Sequence, residues 1–325
     1  MTDKIKVALI GCGRIGFDWD QSSAGSEREA YSHFAAINNS DQFELVAVAD
    51  PDSKNLSKLR NYDSFQCEVS WQTVLKKNKN LDLVVIASPD ETHASILLEI
   101  ADFNPRCVFV EKPLSLGFRT CEEIVQRFEE KGISLLVNYS RRFMSEYREL
   151  KREIDEGVMG KALCLTIHYT GGFAHNGVHF LDLIHWFFGH PERTTILNEE
   201  SNEQKGELPQ SPTTIHFSYE SGLAVNLIGI GNESPAHHQI EFIASSGGFR
   251  ILNNESIERY KVVQMERFEG FSQFSPARCE RIESGLALPH AYSEIAEHLT
   301  KQTLLKRTPE SCLTINCLIE KEKTK

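Results

Sequence analysis

The first 140 residues alternate short, continuously apolar runs with segments of helical spacing or helix-forming residues. The runs cover residues 5–10, 43–49, 81–87, 108–110 and 133–137. Strands that are apolar on both faces and separated by helices are typical of a parallel sheet that helices cover on both sides. The pattern therefore predicts a doubly wound, parallel α/β domain over residues 1–140.

The pattern changes after residue 140, where the candidate strands become longer and turn signals stand at residues 220–222 and 245–248. Candidate strands cover residues 162–169, 213–219, 223–230, 239–244, 249–252 and 257–263. Candidate helices cover residues 146–156, 177–188, 291–301 and 310–321, and residues 198–211 are polar and predicted to form a loop. These features predict a second α/β domain over residues 141–325, with a large, mostly antiparallel open sheet and helices on one face.

Composition disfavours several classes of function. The formal net charge of −11 argues against a surface for nucleic acid or for an anionic membrane. No apolar stretch approaches the roughly 20 residues that span a bilayer, and the N-terminal residues resemble a strand rather than a signal peptide, so we expect a cytoplasmic protein. The eight cysteines are scattered without a CxxC or zinc-type spacing, which predicts reduced thiols and no metal site.

A glycine-rich turn follows the first predicted strand, with the sequence Gly11-Cys12-Gly13-Arg14-Ile15-Gly16. In such a turn the missing side chains let backbone N–H groups approach a dinucleotide's pyrophosphate, and the following helix directs its positive end at the phosphates. We therefore predict a Rossmann cofactor site formed by Gly11, Gly13, Arg14, Ile15 and Gly16. A polar segment, residues 17–26, precedes a helix expected near residues 31–37; it is either an inert surface loop or a cover over the cofactor or substrate.

An acidic residue, Asp50, ends the second predicted strand. At this position a carboxylate accepts hydrogen bonds from the adenosine ribose hydroxyls and repels a 2′-phosphate, which favours NAD over NADP. Asp50 lies further from the glycine turn than the usual ~20 residues, and the polar segment accounts for the excess. The alternative role for Asp50 is that of a turn residue before Pro51.

Ser88, Pro89 and His93 follow the strand predicted over residues 81–87. Ligands of open α/β sheets bind at the carboxyl ends of the strands, so we expect these three residues beside the cofactor. The alternative is an ordinary strand-to-helix connection, with Thr92 near the helix cap and His93 packed in the core.

Glu111, Lys112 and Pro113 follow the next predicted strand, at the same edge of the sheet as the glycine turn. A lysine that is partly desolvated beside a nicotinamide would have a lowered pKa. It could then exchange a proton with a substrate hydroxyl while hydride moves to the nicotinamide ring. Together with the glycine turn, this segment predicts a dehydrogenase, with Glu111 and Lys112 also at the cofactor.

With these residues the chain resembles, over nearly its whole length, the family of glucose-fructose oxidoreductase and inositol dehydrogenase (Gfo/Idh/MocA). The resemblance rests on the motifs above and on residues 138–143, 157–161 and 177–182. It implies an NAD-binding Rossmann domain followed by an α/β domain whose open sheet forms homo-oligomers, either dimers or tetramers. It also implies a sugar-type small-molecule substrate, with no nucleic-acid or membrane partner and no metal.

The resemblance also implies roles for individual residues. Lys112 would transfer the proton of the oxidised hydroxyl, and His179 would lie near that hydroxyl and share the acid–base chemistry. Asp182, one helical turn further on, would orient His179. Tyr139 and Arg142 are expected to contact the sugar.

The chain departs from the family pattern at His175, where the family has an aspartate four residues before the histidine that His179 matches. Imidazole in place of carboxylate changes the local charge and removes a partner of Lys112, so either the proton relay is rearranged or activity is altered or lost. His175 stays a catalytic candidate, and His175 and Asn176 are expected substrate contacts. The alternative, a metal pair of His175 and His179, lacks an evident third ligand nearby.

Three hypotheses of function follow. The leading one is an NAD(P)-dependent oxidoreductase, using NAD, that acts on a secondary hydroxyl of a sugar, nucleotide sugar or cyclitol. Residues 171–177 resemble relatives in glycan biosynthesis, which favours a glycan-precursor substrate. The alternatives are a non-catalytic, NAD-binding regulatory protein and an NAD-dependent lyase or glycosidase.

Overall fold

A computed structural model describes residues 3–22, 28–62, 64–197, 208–209, 211–231, 233–303 and 305. Contacts divide these residues into two compact units. One unit contains the residues up to Phe143 together with those from Gly285 onward, and the other contains Met144–Ser284. The helix predicted at residues 310–321 and most of the loop predicted at 198–211 lie outside the described residues.

The first unit is built on a parallel sheet of six strands. The strands are β1 (Ile5–Ile10), β2 (Phe43–Ala49), β3 (Gln66–Glu68), β4 (Leu83–Ile86), β5 (Cys107–Val110) and β6 (Ser134–Val137). The helices between them are α1 (His33–Asn38), α2 (Ser53–Lys58), α3 (Trp71–Lys77), α4 (His93–Ile100) and α5 (Phe118–Lys131). The strand order is β3-β2-β1-β4-β5-β6, and every neighbouring pair is parallel.

Burial explains the apolar runs of this unit. Every side chain of β4 and β5 is buried, and β1 exposes only Lys6. Because the strand order runs outward from β1 in both directions, the carboxyl ends of β1 and β4 flank the point at which ligands bind in such sheets. The predicted doubly wound parallel sheet is confirmed.

The second unit is built on a sheet of eight strands. Its helices are α6 (Ser145–Asp155) and α7 (Val178–Phe188). Its strands are β7 (Ala162–Thr170), β8 (Arg193–Ile196), β9 (Ile215–Ser218), β10 (Ala224–Ile230), β11 (His238–Ala244), β12 (Gly247–Leu252), β13 (Ser256–Gln264) and β14 (Ser272–Arg281). The order is β14-β13-β12-β11-β7-β10-β9-β8, and only the pair of β7 and β10 is parallel. The predicted mostly antiparallel sheet is confirmed; its predicted role in forming homo-oligomers stays a prediction.

Sequence patterns missed three strands, β3, β8 and β14. β3 has three residues, too few for a periodic signal, and β8 has four. β14 lies at the edge of its sheet, is exposed along most of its length and contains Pro276, which is tolerated in edge strands. Because β14 buries almost no side chain, it has no apolar alternation to recognise.

The last described helix, α8 (Ala287–Lys301), belongs to the first unit, where it packs on α1 and on the short 3-10 helix Ser140–Phe143. Its buried residues include Tyr292, Ile295 and Leu299. The sequence-based division at residue 140 instead assigns this helix to the second domain. Among the helices of the described residues, none is both long enough and apolar enough to cross a membrane.

Candidate cofactor and active site

The glycine turn after β1 has two positions that exclude a side chain and one that is open. Gly11 has φ +94°, and a Cβ there would lie 2.5 Å from the carbonyl of Ala87 at the end of β4. A Cβ on Gly16 would collide with the carbonyl oxygen of Gly11. At Gly13, in contrast, a Cβ would meet nothing within 4 Å. The backbone at Gly13 is therefore approachable from outside, as a pyrophosphate requires, so this turn fits the phosphates of a dinucleotide.

The helix after the glycine turn is interrupted and then resumed. Phe17 N donates to Gly13 O at 2.8 Å, which forms a first helical turn. The carbonyls of Ile15 and Gly16 then accept from His33 N at 2.8 Å and from Phe34 N at 3.0 Å, so α1 continues the turn begun at the glycines. The segment between Gly16 and α1 therefore inserts about fourteen residues between the two parts of this helix. Without it, Asp50 would follow the motif at the usual spacing of roughly 20 residues.

The Asp50 carboxylate is buried and holds the glycine turn in place. Its Oδ2 accepts from Cys12 N at 2.8 Å, and its Oδ1 accepts from Asp52 N at 2.8 Å. The bond from Cys12 links the ends of β1 and β2. The bond from Asp52 corresponds to the alternative role of Asp50 as a turn residue. Burial, followed by the charge of Asp50, raises the pKa of the Cys12 thiol, which therefore stays protonated. The predicted contact of Asp50 with a ribose stays a prediction.

A polar chain that the sequence did not reveal continues from Asp50 toward the interrupting segment. Asn55 on α2 donates from Nδ2 to Asp50 Oδ2 at 3.1 Å, and its Oδ1 accepts from Lys58 Nζ at 3.1 Å. The Lys58 ammonium also donates to both carboxylate oxygens of Asp18 at 2.8 Å. Lys58 therefore lies between two acids: it binds Asp18 directly and is linked to Asp50 through Asn55.

His93 connects two loops at the carboxyl edge of the sheet. Its ring is fully buried, with Nδ1 at 2.7 Å from Pro113 O and Nε2 at 2.9 Å from Ser88 O. Both ring nitrogens therefore have main-chain partners, through which His93 holds the loops after β4 and β5 together; its predicted place beside the cofactor stays a prediction. Ser88 Oγ and Thr92 Oγ1 lie 2.7 Å apart and close the same turn.

Lys112 is 7% exposed and follows the end of β5, as predicted. Its bond to Pro113 is cis. Burial lowers the pKa of the Lys112 ammonium. The charges of Glu111 and Asp90 oppose this effect in part, and the charge of Arg141 adds to it. The burial that the sequence-based prediction requires is therefore present, and the predicted position of Lys112 beside a nicotinamide stays a prediction.

Glu111, the neighbour of Lys112, is bound by residues that come from distant parts of the chain. Its Oε1 accepts from Asn138 Nδ2 at 2.6 Å and from His33 Nε2 at 2.9 Å. Burial alone would raise the pKa of Glu111, but the hydrogen bond and the charge of His33, the bond from Asn138 and the charge of Lys112 outweigh it, and the pKa is lowered. Glu111 is therefore an ionised carboxylate beside Lys112. No sequence motif pointed to His33.

Tyr139, a predicted sugar contact, follows the end of β6. It is buried, at 5% exposure. Arg142 lies three residues further, half-buried, in the 3-10 helix Ser140–Phe143. The structure thus brings the glycine turn, Asp50, Ser88, Lys112 and Tyr139 to the carboxyl ends of five strands of one sheet.

In the second unit, the predicted substrate residues lie in and after a π-helical turn, Phe173–Gly177, that leads into α7. His175 is exposed in this turn, and Asn176 donates from Nδ2 to Thr170 O at 2.7 Å. His179 is half-buried on the first turn of α7, and Asp182 is 1% exposed. π-Helical turns inside helices are frequent at functional sites. No cluster of three or more metal-ligating side chains occurs among the described residues.

Profiles of one family match both parts of the chain. The NAD-binding Rossmann fold of the Gfo/Idh/MocA oxidoreductase family matches residues 5–139, and the C-terminal α/β domain of the same family matches residues 151–304. The second match includes all of α8, although the contacts of that helix lie in the first unit.

Individual proteins with similar sequences include sugar and cyclitol enzymes. The scyllo-inositol 2-dehydrogenase (NAD(+)) of Bacillus subtilis is 26% identical over 273 residues, which cover 77% of this chain and 75% of that protein. The 2,7-anhydro-N-acetylneuraminate hydratase of Mediterraneibacter gnavus is 26% identical over 172 residues, 47% of this chain and 45% of that protein. Against the latter the match thus spans less than half of the relative's length.

A solved structure shares the fold over the full chain. The WlbA dehydrogenase of Chromobacterium violaceum, in complex with NADH and UDP-GlcNAcA, superposes with a TM-score of 0.76 at 18% identity and covers 100% of this chain and 94% of its own. Since both domains match one family's profiles and the glycine turn fits a dinucleotide, the chain belongs to the NAD-binding Gfo/Idh/MocA family of oxidoreductases.

Proposed function

We propose that this chain oxidises a secondary hydroxyl of a sugar-type substrate with NAD as hydride acceptor, and that Lys112 is the base that takes the hydroxyl proton. The observation that carries the proposal is the buried Lys112, whose pKa is lowered, at the same sheet edge as the glycine turn. A base that works near neutral pH needs a lowered pKa, which the burial of Lys112 supplies.

In this proposal NAD, when bound, supplies the acceptor for the hydride that leaves the substrate carbon. Lys112 Nζ, as the neutral amine, takes the hydroxyl proton, and the electrons of the O–H bond form the new carbonyl bond. The ionised Glu111 then stabilises the ammonium that results, because opposite charges attract strongly where water is excluded. The backbone at Gly13 and the carboxylate of Asp50 hold the dinucleotide.

The substrate contacts in this proposal come from the resemblance to the family. Tyr139 and Arg142 are assigned to the sugar, as are Asn176 and the two histidines, His175 and His179. Asp182 is assigned to orienting His179, which the i, i+3 spacing on α7 and the burial of Asp182 support. The exposed His175 is an additional candidate for proton exchange in place of the family's aspartate.

The substrate class is proposed as a cyclitol or a nucleotide sugar, the latter in the formation of a glycan precursor. The cyclitol in the name of the Bacillus subtilis relative and the UDP-GlcNAcA bound in the WlbA dehydrogenase structure support these two classes. The experiment is to incubate the protein with NAD+ and a panel of inositols, hexoses and UDP-linked amino sugar acids, and to follow NADH by absorbance. NADH formation with one class supports the proposal. Binding of NAD+ without turnover of any compound would instead indicate a regulatory protein.

A second candidate function uses NAD without net oxidation, as a lyase or hydratase. The hydratase among the relatives favours it. In the same panel such an enzyme would convert substrate, detected by mass spectrometry of the products, while no NADH accumulates.

The lowered pKa of Lys112 predicts the pH dependence of oxidation. The base must be the neutral amine, so kcat for oxidation rises as pH increases through the Lys112 pKa and then levels. Because burial lowers that pKa, the rise lies below the pH range of an ordinary lysine. Initial rates across a pH series with saturating substrate measure it. A rise located where a solvated lysine titrates would contradict the assignment.

Asp50 is expected to determine the preference for NAD over NADP. Asp50→Asn removes the charge that repels a 2′-phosphate but keeps an oxygen that can accept from Cys12 N. We expect the ratio of NAD+ to NADP+ affinities to fall by about tenfold, with a loss of thermal stability because the amide NH2 cannot accept from Asp52 N. Isothermal titration with each cofactor measures the ratio. Asp50→Ala, the control, removes the same charge together with the bonds to Cys12 and Asp52, so it should lower the ratio as well but weaken the binding of both cofactors.

A further inference from the structure

A buried chain of hydrogen bonds extends from Glu111 to the C-terminal helix of the first unit. His33, at the start of α1, is fully buried, and its Nε2 lies 2.9 Å from Glu111 Oε1. Its Nδ1 lies 2.9 Å from the hydroxyl of Tyr292 on α8, which is 1% exposed. The His33 ring also packs edge-on against Phe109 and Tyr292, so its orientation is fixed.

The chemistry of the three groups sets the direction of these bonds. A carboxylate only accepts, so His33 Nε2 carries the hydrogen that bonds Glu111. When the His33 ring is neutral, Nδ1 is the acceptor and the Tyr292 hydroxyl donates to it; when the ring is protonated, both of its nitrogens donate. Burial, and then the charge of Glu111, raises the pKa of Tyr292 well above its ordinary value, so the hydroxyl keeps the proton that it donates. For the neutral ring, Tyr292 thus selects the tautomer of His33 that serves Glu111.

We propose that His33 and Tyr292 are positioning residues that hold Glu111 ionised and fixed beside Lys112, and thereby set the proton affinity of that lysine. This inference rests on the proposed role of Lys112 as the base. His33 and Tyr292 themselves contact neither the lysine ammonium nor the reacting atoms in this proposal; they act through Glu111.

The charges around the pair determine the sign of the effect. Glu111 is bonded by His33 from α1 and by Asn138 from the end of β6, with Lys112 as its neighbour. Burial raises the pKa of Glu111, and the bond from His33 is the first influence that lowers it. Loss of the His33 N–H therefore raises the pKa of Glu111 and weakens its negative charge.

The same reasoning extends to Lys112. After burial, which lowers its pKa, the largest influence is the charge of Glu111, which raises it. Asp90, from the turn before α4, acts in the same direction as Glu111, and Arg141, from the turn after β6, acts in the opposite direction. When Glu111 loses charge, the pKa of Lys112 falls further. Disruption of the chain at His33 should therefore make Lys112 a weaker base that is neutral at lower pH.

Four variants test the inference. His33→Leu removes the donor to Glu111, and His33→Gln retains an amide N–H that can replace it. Tyr292→Phe removes only the hydroxyl that selects the His33 tautomer. Phe43→Leu is the matched control, because Phe43 packs edge-on against the Tyr292 ring and supplies no polar group to the chain. Thermal melting of all four separates packing losses from effects on Lys112.

The primary measurement is the pH dependence of Lys112 acetylation by trace acetic anhydride in the intact protein, quantified by peptide mass spectrometry. We expect the half-point of the labelling curve to move to lower pH in His33→Leu, to move less in Tyr292→Phe, and to return toward the original value in His33→Gln. Phe43→Leu should leave it unchanged. Where substrate is turned over, the rise of kcat with pH should move in the same direction as the labelling curve.

The inference is overturned if His33→Leu and Tyr292→Phe lower the melting temperature as Phe43→Leu does but leave the Lys112 labelling curve in place. If His33→Leu does not fold, Tyr292→Phe decides alone. Labelling needs no substrate, so the two proposals fail separately. A shifted curve in a protein that oxidises no compound would contradict the proposed function only, and an unshifted curve in an active enzyme would contradict this inference only.

Discussion

Replacing Lys112 with methionine is expected to lower kcat for oxidation by about 100- to 10,000-fold, the usual contribution of a general base. Methionine has a similar length and no proton to exchange, and the bonds from His33 and Asn138 to the Glu111 carboxylate remain, so the fold should be retained. The affinity for NAD+ should change little, because the phosphates and ribose are assigned to the glycine turn and Asp50. Steady-state kinetics and calorimetric titration with NAD+ measure the two quantities.

Lys112→Arg is the matched control for charge. Arginine keeps a cation at this site but does not give up its proton at any pH that the protein tolerates. If Lys112 acts as a base, arginine should be as inactive as methionine. If Lys112 only attracts a negative group on the substrate, arginine should restore much of the activity. Turnover by Lys112→Met within a few-fold of the original protein would exclude a role as base.

The substitution Gly13→Ala is expected to weaken NAD+ binding on the order of 100-fold without destabilising the protein. The new methyl group would occupy the open space beside the turn, where nothing lies within 4 Å, and would block approach of the pyrophosphate. Gly13 has no positive φ, so alanine should raise the free energy of unfolding by about 0.4–1 kcal/mol through the unfolded chain. Calorimetric titration measures the weaker binding of NAD+, and thermal melting measures the gain in stability.

Gly16→Ala provides the contrast. Its methyl group would collide with backbone atoms of Gly11 and Cys12, which cannot move without displacing the turn. We expect a loss of about 1–3 kcal/mol in the free energy of unfolding, together with weaker binding of NAD+. Equal loss of stability in the Gly13 and Gly16 variants would contradict the open site at Gly13. Unchanged NAD+ affinity in the Gly13 variant would contradict the pyrophosphate assignment.

Sequence patterns located the strands that are buried on both faces. The predicted runs at residues 5–10 and 43–49 coincide with β1 and β2, and β4, β5 and β6 were located within two residues at each end. Such strands are continuously apolar, so their burial can be predicted from the sequence. The short or exposed strands β3, β8 and β14 were missed because too few of their side chains are buried to leave a pattern.

The same distinction holds at the candidate site. The glycine turn, Asp50 and Lys112 were recognised because each directly follows an apolar strand, which is a local signal. His93 was recognised, but the sequence allowed either a cofactor contact or a place in the core. The tertiary structure shows the ring buried, with its nitrogens at the carbonyls of Ser88 and Pro113. The segment after Gly16 was recognised as an insertion, but only the backbone bonds from α1 revealed that it interrupts a helix.

By itself the sequence determined the fold class, the family resemblance and the candidates that end apolar strands, since spacing and apolar pattern are properties of contiguous residues. The tertiary structure alone decided which groups surround Glu111 and Lys112. His33 lies 78 residues from Glu111 and 259 residues from Tyr292 in the chain. A hydrogen bond across such distances leaves no periodic trace in the sequence, because the partner is selected by three-dimensional packing and not by any neighbouring residue.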